Sequence, residues 1–180
     1  MSGDLTIRVA TSADLPAMKT VMDLSISRLQ DSFLSPTQVE ASHAIMGIDT
    51  QLVRDGTYFV VTCDGVVAGC GGWSFRATLF GGDHTTDQRD PARLDPATDA
   101  ARVRAMYTHP DFTRRGVGKL ILATCEASAK DAGFSRAEMM ATLAGQPLYE
   151  ACGYQIIEPT EAVVGEITIP LLKMGKALNA

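Results

Sequence analysis

The 180-residue sequence has four cysteines, Cys63, Cys70, Cys125 and Cys152, and no two of them form a CxxC pair. That spacing argues against a disulfide framework or a cysteine-based zinc site and reads as reduced core residues in a reducing compartment. Histidine is sparse as well: His43, His84 and His109 make no HExxH-like pattern, so no metal is expected. Basic residues are outnumbered, 16 to 21, for a net charge of −5, which is the wrong sign for a general nucleic-acid partner. No apolar run is long enough to span a bilayer, so no membrane partner is expected. Met1-Ser2-Gly3-Asp4 lacks the basic start of a secretion signal. The expectation is a cytoplasmic protein. Only 8 prolines are present and 46% of residues are apolar, which excludes an extended or disordered chain and leaves enough apolar surface for one domain over residues 1–180.

Alternation over Leu5 to Ala10 predicts a first strand, and apolar spacing over Leu15 to Leu29 a helix with one buried face. A second helix is expected from about Pro36 to Met46 or beyond. Tyr58–Cys63 and Val66–Cys70 flank Asp64-Gly65, a two-residue hairpin signal. Residues 76–100 carry no hydrophobic period. Past Arg76 at their start, Asp83, Asp87, Asp90, Asp95 and Asp99 face only Arg89 and Arg93, a local charge of −3. A loop this long is either functional or simply a solvated acidic connection. Beyond it the order is strand (Arg102 to Thr108), helix (Gly116 to Ala132, core stripe Val117, Ile121, Cys125 and Ala132) and strand (Arg136 to Leu143). A short helix (Gln146 to Cys152) and two strands (Tyr154 to Glu158, Glu166 to Met174) follow. The fold class is α/β (α+β), a mixed sheet of six to seven strands with helices on both faces.

The chemistry concentrates in Thr113-Arg114-Arg115-Gly116-Val117-Gly118-Lys119, between a strand and a helix. Two glycines open the backbone N–H groups to a ligand, and the helix start adds unpaired N–H groups and a positive dipole end. Residues 102 to 119 hold five basic side chains and one acid, +4 within a chain of −5. Such concentration favours an anion, most simply a phosphate or pyrophosphate. Neither common nucleotide pattern fits. A dinucleotide fingerprint needs glycine where the chain has Ile121, and a P-loop needs Ser or Thr where it has Leu120. A tight turn with a basic helix start is the plain structural alternative.

The run Met106-Tyr107-Thr108-His109-Pro110-Asp111-Phe112 leading into this loop resembles the coenzyme A segment of the GNAT-type N-acetyltransferases. Leu148-Tyr149-Glu150-Ala151-Cys152-Gly153-Tyr154 is similar to that family's second signature, with Thr113 standing where Gln or Arg is usual. The resemblance implies a sheet with two neighbouring strands splayed for acetyl-CoA. Met106, Tyr107 and Thr108 would pair with the pantetheine arm, and the backbone of Arg114, Arg115, Gly116, Val117, Gly118 and Lys119 would hold the pyrophosphate. Tyr149 would protonate the departing thiolate; a core tyrosine at a helix end is its bland alternative. The implied reaction is direct acetyl transfer in a ternary complex to a small-molecule or peptide amine. The strand before the loop carries no acid, so the base is open among His84, His109, a loop aspartate and a water chain. Tyr58, Trp73 and Phe75 are either acceptor-side aromatics or core. A coenzyme A sensor without turnover and an interaction subunit with an acidic partner stay as alternatives. Nothing in the sequence fixes whether the chain forms a homodimer.

Overall fold

The computed structural model describes residues 3–85 and 90–178. Seven strands form one mixed sheet: β1 Leu5–Val9, β2 Tyr58–Cys63, β3 Val66–Ser74, β4 Ala101–Thr108, β5 Arg136–Thr142, β6 Gln155–Val164 and β7 Ile167–Ala177, in the order β1-β2-β3-β4-β5-β7-β6. The helices are α1 Leu15–Leu29, α2 Pro36–Ser42, α3 Thr50–Arg54, α4 Val117–Asp131 and α5 Gln146–Ala151. Among the described residues, no helix is long and apolar enough to cross a membrane.

Because side chains alternate along a strand, β2 feeds two cores. Phe59, Val61 and Cys63 pack with Val117, Ile121, Leu122, Cys125 and Ala129 of α4. Tyr58 and Val60 pack with Met18, Val21, Met22 and Ile26 of α1. Helices therefore cover both faces. A third cluster joins Leu34 and Val39 to Ala162, Ile169 and Leu171 near the β6–β7 hairpin. On α4 the buried stripe ends at Ala129, whereas Ala132 is exposed at the C-cap. The helix has stopped before Ala132 can rotate onto the expected face. Gly69 and Gly71 of β3 let α4 approach closely: a Cβ there would stand 2.5 Å from Val117 and 2.6 Å from Ile121.

The Asp64-Gly65 turn has both residues at positive φ, +50° and +80°, as a two-residue hairpin requires. Three expected boundaries move and one helix is new. The second helix ends at Ser42 rather than Met46, with the Ser42 hydroxyl donating to the Gln38 carbonyl at 2.8 Å and three-residue turns carrying the chain onward. The α3 helix, absent from the sequence reading, is capped by Asp49, whose Oδ1 accepts the Gln51 N–H at 2.9 Å. The β3 strand continues past Cys70 to Ser74, and β6 runs through Pro159 to Val164. Proline is tolerated there because β6 is an edge strand.

Two irregularities in β4 shape the middle of the sheet. It pairs in parallel with β5 only at Ala101↔Ala137 and Arg102↔Glu138. Beyond those pairs the strands diverge. Against β3, the register passes from Gly72↔Arg104 to Cys70↔Tyr107, so Ala105 and Met106 oppose Gly71 alone. Ala105 sits in this bulge at φ +50°, and its carbonyl accepts a hydrogen bond from the Tyr58 hydroxyl at 3.0 Å.

Candidate active site

The divergence of β4 from β5 opens a cleft of about 750 Å³. One wall is the end of β4, Met106 to Thr108; another is the loop from Thr113 to Gly116 with the first turn of α4. The start of α5 closes a third side through Pro147, Leu148 and Tyr149, and Ile26 and Leu29 of α1 complete it. Of the residues singled out in the sequence, Met106, Tyr107, Thr108, Arg114, Gly116, Val117, Gly118, Lys119 and Tyr149 all line this one cleft. The Arg115 side chain does not. Its guanidinium donates to Cys63 Sγ at 3.4 Å and lies over the Phe112 ring at 5.1 Å.

The loop is built to present backbone. Arg114 and Gly116 both have positive φ, +60° and +87°, and Gly116 is the N-cap of the 15-residue α4 with no side-chain cap. The first N–H groups of α4 are thus left for a ligand, beside the exposed Arg114 and Lys119. Gly118 is needed for packing: a Cβ there would come within 2.5 Å of Leu148 Cδ2. The same close approach brings α5, and with it Tyr149, to the cleft.

Tyr149 is half-buried, with its hydroxyl 3.9 Å from Met106 Sδ and its ring edge-on to Tyr154 at 6.2 Å. Burial pushes its phenol up to about 12. The phenol therefore keeps its proton throughout the physiological range. Burial also raises the thiols of Cys70, to about 12, and of Cys125, which makes both poor nucleophiles.

The base candidates lie elsewhere. His109 Nδ1 accepts the Asp111 N–H at 3.1 Å and its ring packs on Phe112, so it orders the turn after β4. His84 Nε2 is 3.0 Å from the His43 carbonyl. Asp83 accepts from Thr50 N, Asp90 from Ala92 N, Asp95 from Ala97 N and Asp99 from Asp95 N. Asp87 falls outside the described residues. Among the described residues, no carboxylate or imidazole lines the cleft. Tyr58 and Trp73 are core: the Trp73 indole donates to Ser128 Oγ at 2.8 Å. The Arg76 and Arg93 guanidiniums lie 5.1 and 5.0 Å from the Phe75 ring centre.

A smaller cavity of about 80 Å³ adjoins the cleft, sharing Met46, Met106, Tyr107, Thr142 and Tyr149 with it. Leu79, Phe80 and Gly81 of the long loop line it. These contributors escaped the sequence reading, since no local pattern signals which loop residues fold back onto a sheet. Arg104, 3% exposed, holds the loop there by donating to the Gly81 carbonyl at 2.8 Å while pairing with Asp49 at 3.1 Å. No group of three or more metal-ligating side chains is found among the described residues.

Residues 24–154 match the model of the acetyltransferase (GNAT) family. The chain belongs to that family. Its fold is shared with GNAT structures of low sequence identity. A GCN5-related N-acetyltransferase from Rhodopseudomonas palustris superposes with a TM-score of 0.71 at 17% identity, covering 98% of each chain. The yncA protein of Salmonella typhimurium, solved with its cofactor acetyl-CoA, gives 0.64 at 18% identity over 98% of this chain and 95% of its own. The PaiA N-acetyltransferase of Thermoplasma acidophilum, solved with coenzyme A, gives 0.61 at 14% identity over 97% and 99%. No curated protein matches the chain significantly. The GNAT resemblance and the mixed sheet of six to seven strands expected from the sequence are both met, the latter with seven.

Proposed function

We propose that the protein transfers an acetyl group from acetyl-CoA to a primary amine of a small molecule or peptide, by direct attack in a ternary complex. The observation that carries this reading is the single cleft where β4 and β5 part, with a basic uncapped helix start and the Tyr149 phenol both lining it. Bound acetyl-CoA supplies an activated acyl group as a thioester.

The chain's own residues divide the remaining work. Arg114, Lys119 and the backbone from Arg114 to Lys119 hold the pyrophosphate, as the open N–H groups and positive potential there favour. The backbone of Met106, Tyr107 and Thr108 has no β5 partner, and it pairs with the amide-bearing arm of the coenzyme. A backbone N–H at Tyr107 or Thr108 steadies the oxyanion as the amine attacks. Tyr149 donates to the sulfur as it leaves. The amine's proton goes to solvent through water, since His84, His109 and the described loop aspartates are engaged elsewhere.

Thermal unfolding with acetyl-CoA, CoA, ATP and NAD at matched concentrations tests the site. A ligand held at 100 times its dissociation constant adds about 2.7 kcal/mol, a rise of about 5–11 °C for a chain of this size. A rise with CoA and acetyl-CoA alone is expected. A rise with ATP or NAD alone overturns the assignment. The absence of a lining carboxylate among the described residues favours a second reading, a coenzyme A sensor. Release of free thiol from acetyl-CoA with a panel of amines decides between them.

A further inference from the structure

The 80 Å³ cavity lies in the V between β4 and β5. It reaches to Val103 and Met139, the positions just past the last paired residues, Arg102 and Glu138. It meets the cleft at Tyr149, where the reactive end of the coenzyme belongs. We propose that this cavity is an acyl pocket, and that the chain takes propionyl- or butyryl-CoA in preference to acetyl-CoA. The proposal rests on the coenzyme reading given above.

Three observations carry it. The first is size. A cavity of about 150 Å³ holds a benzene ring, so one of about half that volume takes two or three methylene groups. The second is the lining: Met46, Met106, Met139 and Met140 are among the residues that border it, Met140 from the face of β5 that packs toward Ile45 and Phe80, and a methionine side chain is unbranched and adaptable; Leu79 and Val103 border it beside them. The third is closure. Arg104 ties down Gly81, and the Tyr107 hydroxyl bonds both the N–H and the carbonyl of Gly47, at 3.0 Å each, next to Met46. The segments over the cavity are therefore anchored, and what fills it arrives attached to the coenzyme rather than as a separate acceptor.

Arg104 is the one charged side chain in the lining. Its Nε is buried without a partner, but Asp49 at 3.1 Å already supplies the counter-charge. A terminal carboxylate on the acyl chain gains nothing there. The transfer itself is unchanged. The C–N bond forms as the thioester C–S bond breaks, the amine loses one proton and the departing sulfur gains one.

Calorimetric titration of the whole chain with CoA and with acetyl-, propionyl-, butyryl-, octanoyl- and succinyl-CoA tests this without knowledge of the acceptor. Affinity should rise about fourfold for each methylene from acetyl to butyryl and fall back at octanoyl. Leu79→Trp should abolish the rise, and Met140→Ala should move the optimum to a longer chain; neither residue lines the larger cleft, so CoA itself should bind both variants as it binds the parent. Flat or falling affinity beyond acetyl, with CoA still bound, overturns the acyl pocket alone. Succinyl-CoA binding above butyryl-CoA overturns its apolar assignment. Failure of every coenzyme to bind overturns this proposal together with the proposed function.

Discussion

Replacing Tyr149 by phenylalanine removes one oxygen from the cleft and little else. That hydroxyl touches the Met106 sulfur at 3.9 Å, a weak contact, so folding and coenzyme affinity should hardly change. The effect on turnover follows from the acidity of the groups. Burial sets the phenol at about 12, whereas an ordinary thiol lies near 8.5. Complete proton transfer to the leaving sulfur would thus be uphill by about 5 kcal/mol. In the proposed reaction Tyr149 would act instead as a hydrogen-bond donor to developing negative charge, with the thiolate taking its proton from solvent. A bond of that kind contributes about 1.5–3 kcal/mol, so kcat should fall roughly 10- to 150-fold. The assay follows free CoA thiol with a chromogenic disulfide, alongside calorimetric binding of acetyl-CoA. Wild-type kcat in the variant would remove Tyr149 from the reaction. A loss of affinity that matches the loss of rate would make it a binding residue instead. The pH profile adds a separate check: with the phenol at about 12, no alkaline limb below about pH 10 in the wild type should vanish in Tyr149→Phe.

Gly118→Ala adds a methyl 2.5 Å from Leu148 Cδ2. The helix-propensity gain of about 1 kcal/mol offsets a displaced leucine rotamer, so the melting temperature should barely move while CoA affinity falls. Adding Leu148→Ala should restore binding, and undiminished affinity in the single variant would refute the packing argument. Arg104→Met breaks a pair whose side chains are 2% and 4% exposed. The expected loss is about 3–5 kcal/mol, or a fall of about 6–20 °C in melting temperature. A fall under 3 °C would contradict it. Asp14 accepts two hydrogen bonds from Arg8 at 2.8 Å, which hold its carboxyl down at about 2. Its folded pKa lies below the unfolded value near 3.9, so its contribution is complete above about pH 4 and disappears as pH falls through about 2. The urea midpoint of Asp14→Asn should trail the wild type at pH 6 and meet it near pH 2. A gap that persists at low pH would show that another property of the carboxylate is at work.

What could be read along the chain had local causes. Asp64-Gly65 announced its hairpin because only a few residues tolerate two successive positive φ angles. The basic glycine loop was legible because phosphate chemistry is written in contiguous residues. The misses have tertiary causes. The expected strand stopped at Cys70, yet β3 runs on through Gly71 and Gly72 to Ser74, where a Cβ would meet Ile121 of α4 at Gly71 and the Thr57 carbonyl at Gly72. The strand expected to end at Glu158 continues through Pro159 in β6, because an edge strand has one side that needs no donor. The cleft's α1 wall, Ile26 and Leu29, looked like ordinary core stripe, and only the path of the chain in three dimensions distinguishes the two.

The acidic loop shows how charge arithmetic misleads when backbone groups compete for the same oxygens. Counted along the sequence, its aspartates suggest a site for a cationic amine. In the fold, Asp83, Asp90, Asp95 and Asp99 each accept a backbone N–H, three of them within the loop's own turns and one at the start of α3. A connection of 26 residues from Phe75 to Ala100, with one isolated bridge, Arg76↔Arg93, among its described residues, has many donors and few strand partners there. Aspartate is well suited to satisfy them, because its short side chain reaches N–H groups two residues on. What the loop extends toward the cleft is then set by the residues left over: Leu79, Phe80 and Gly81. The loop is acidic because its turns need acceptors, and its contribution to the reaction chamber is apolar. A substrate guess drawn from its charge would choose polyamines, whereas one drawn from its contacts would choose amines and acyl groups with small hydrocarbon parts.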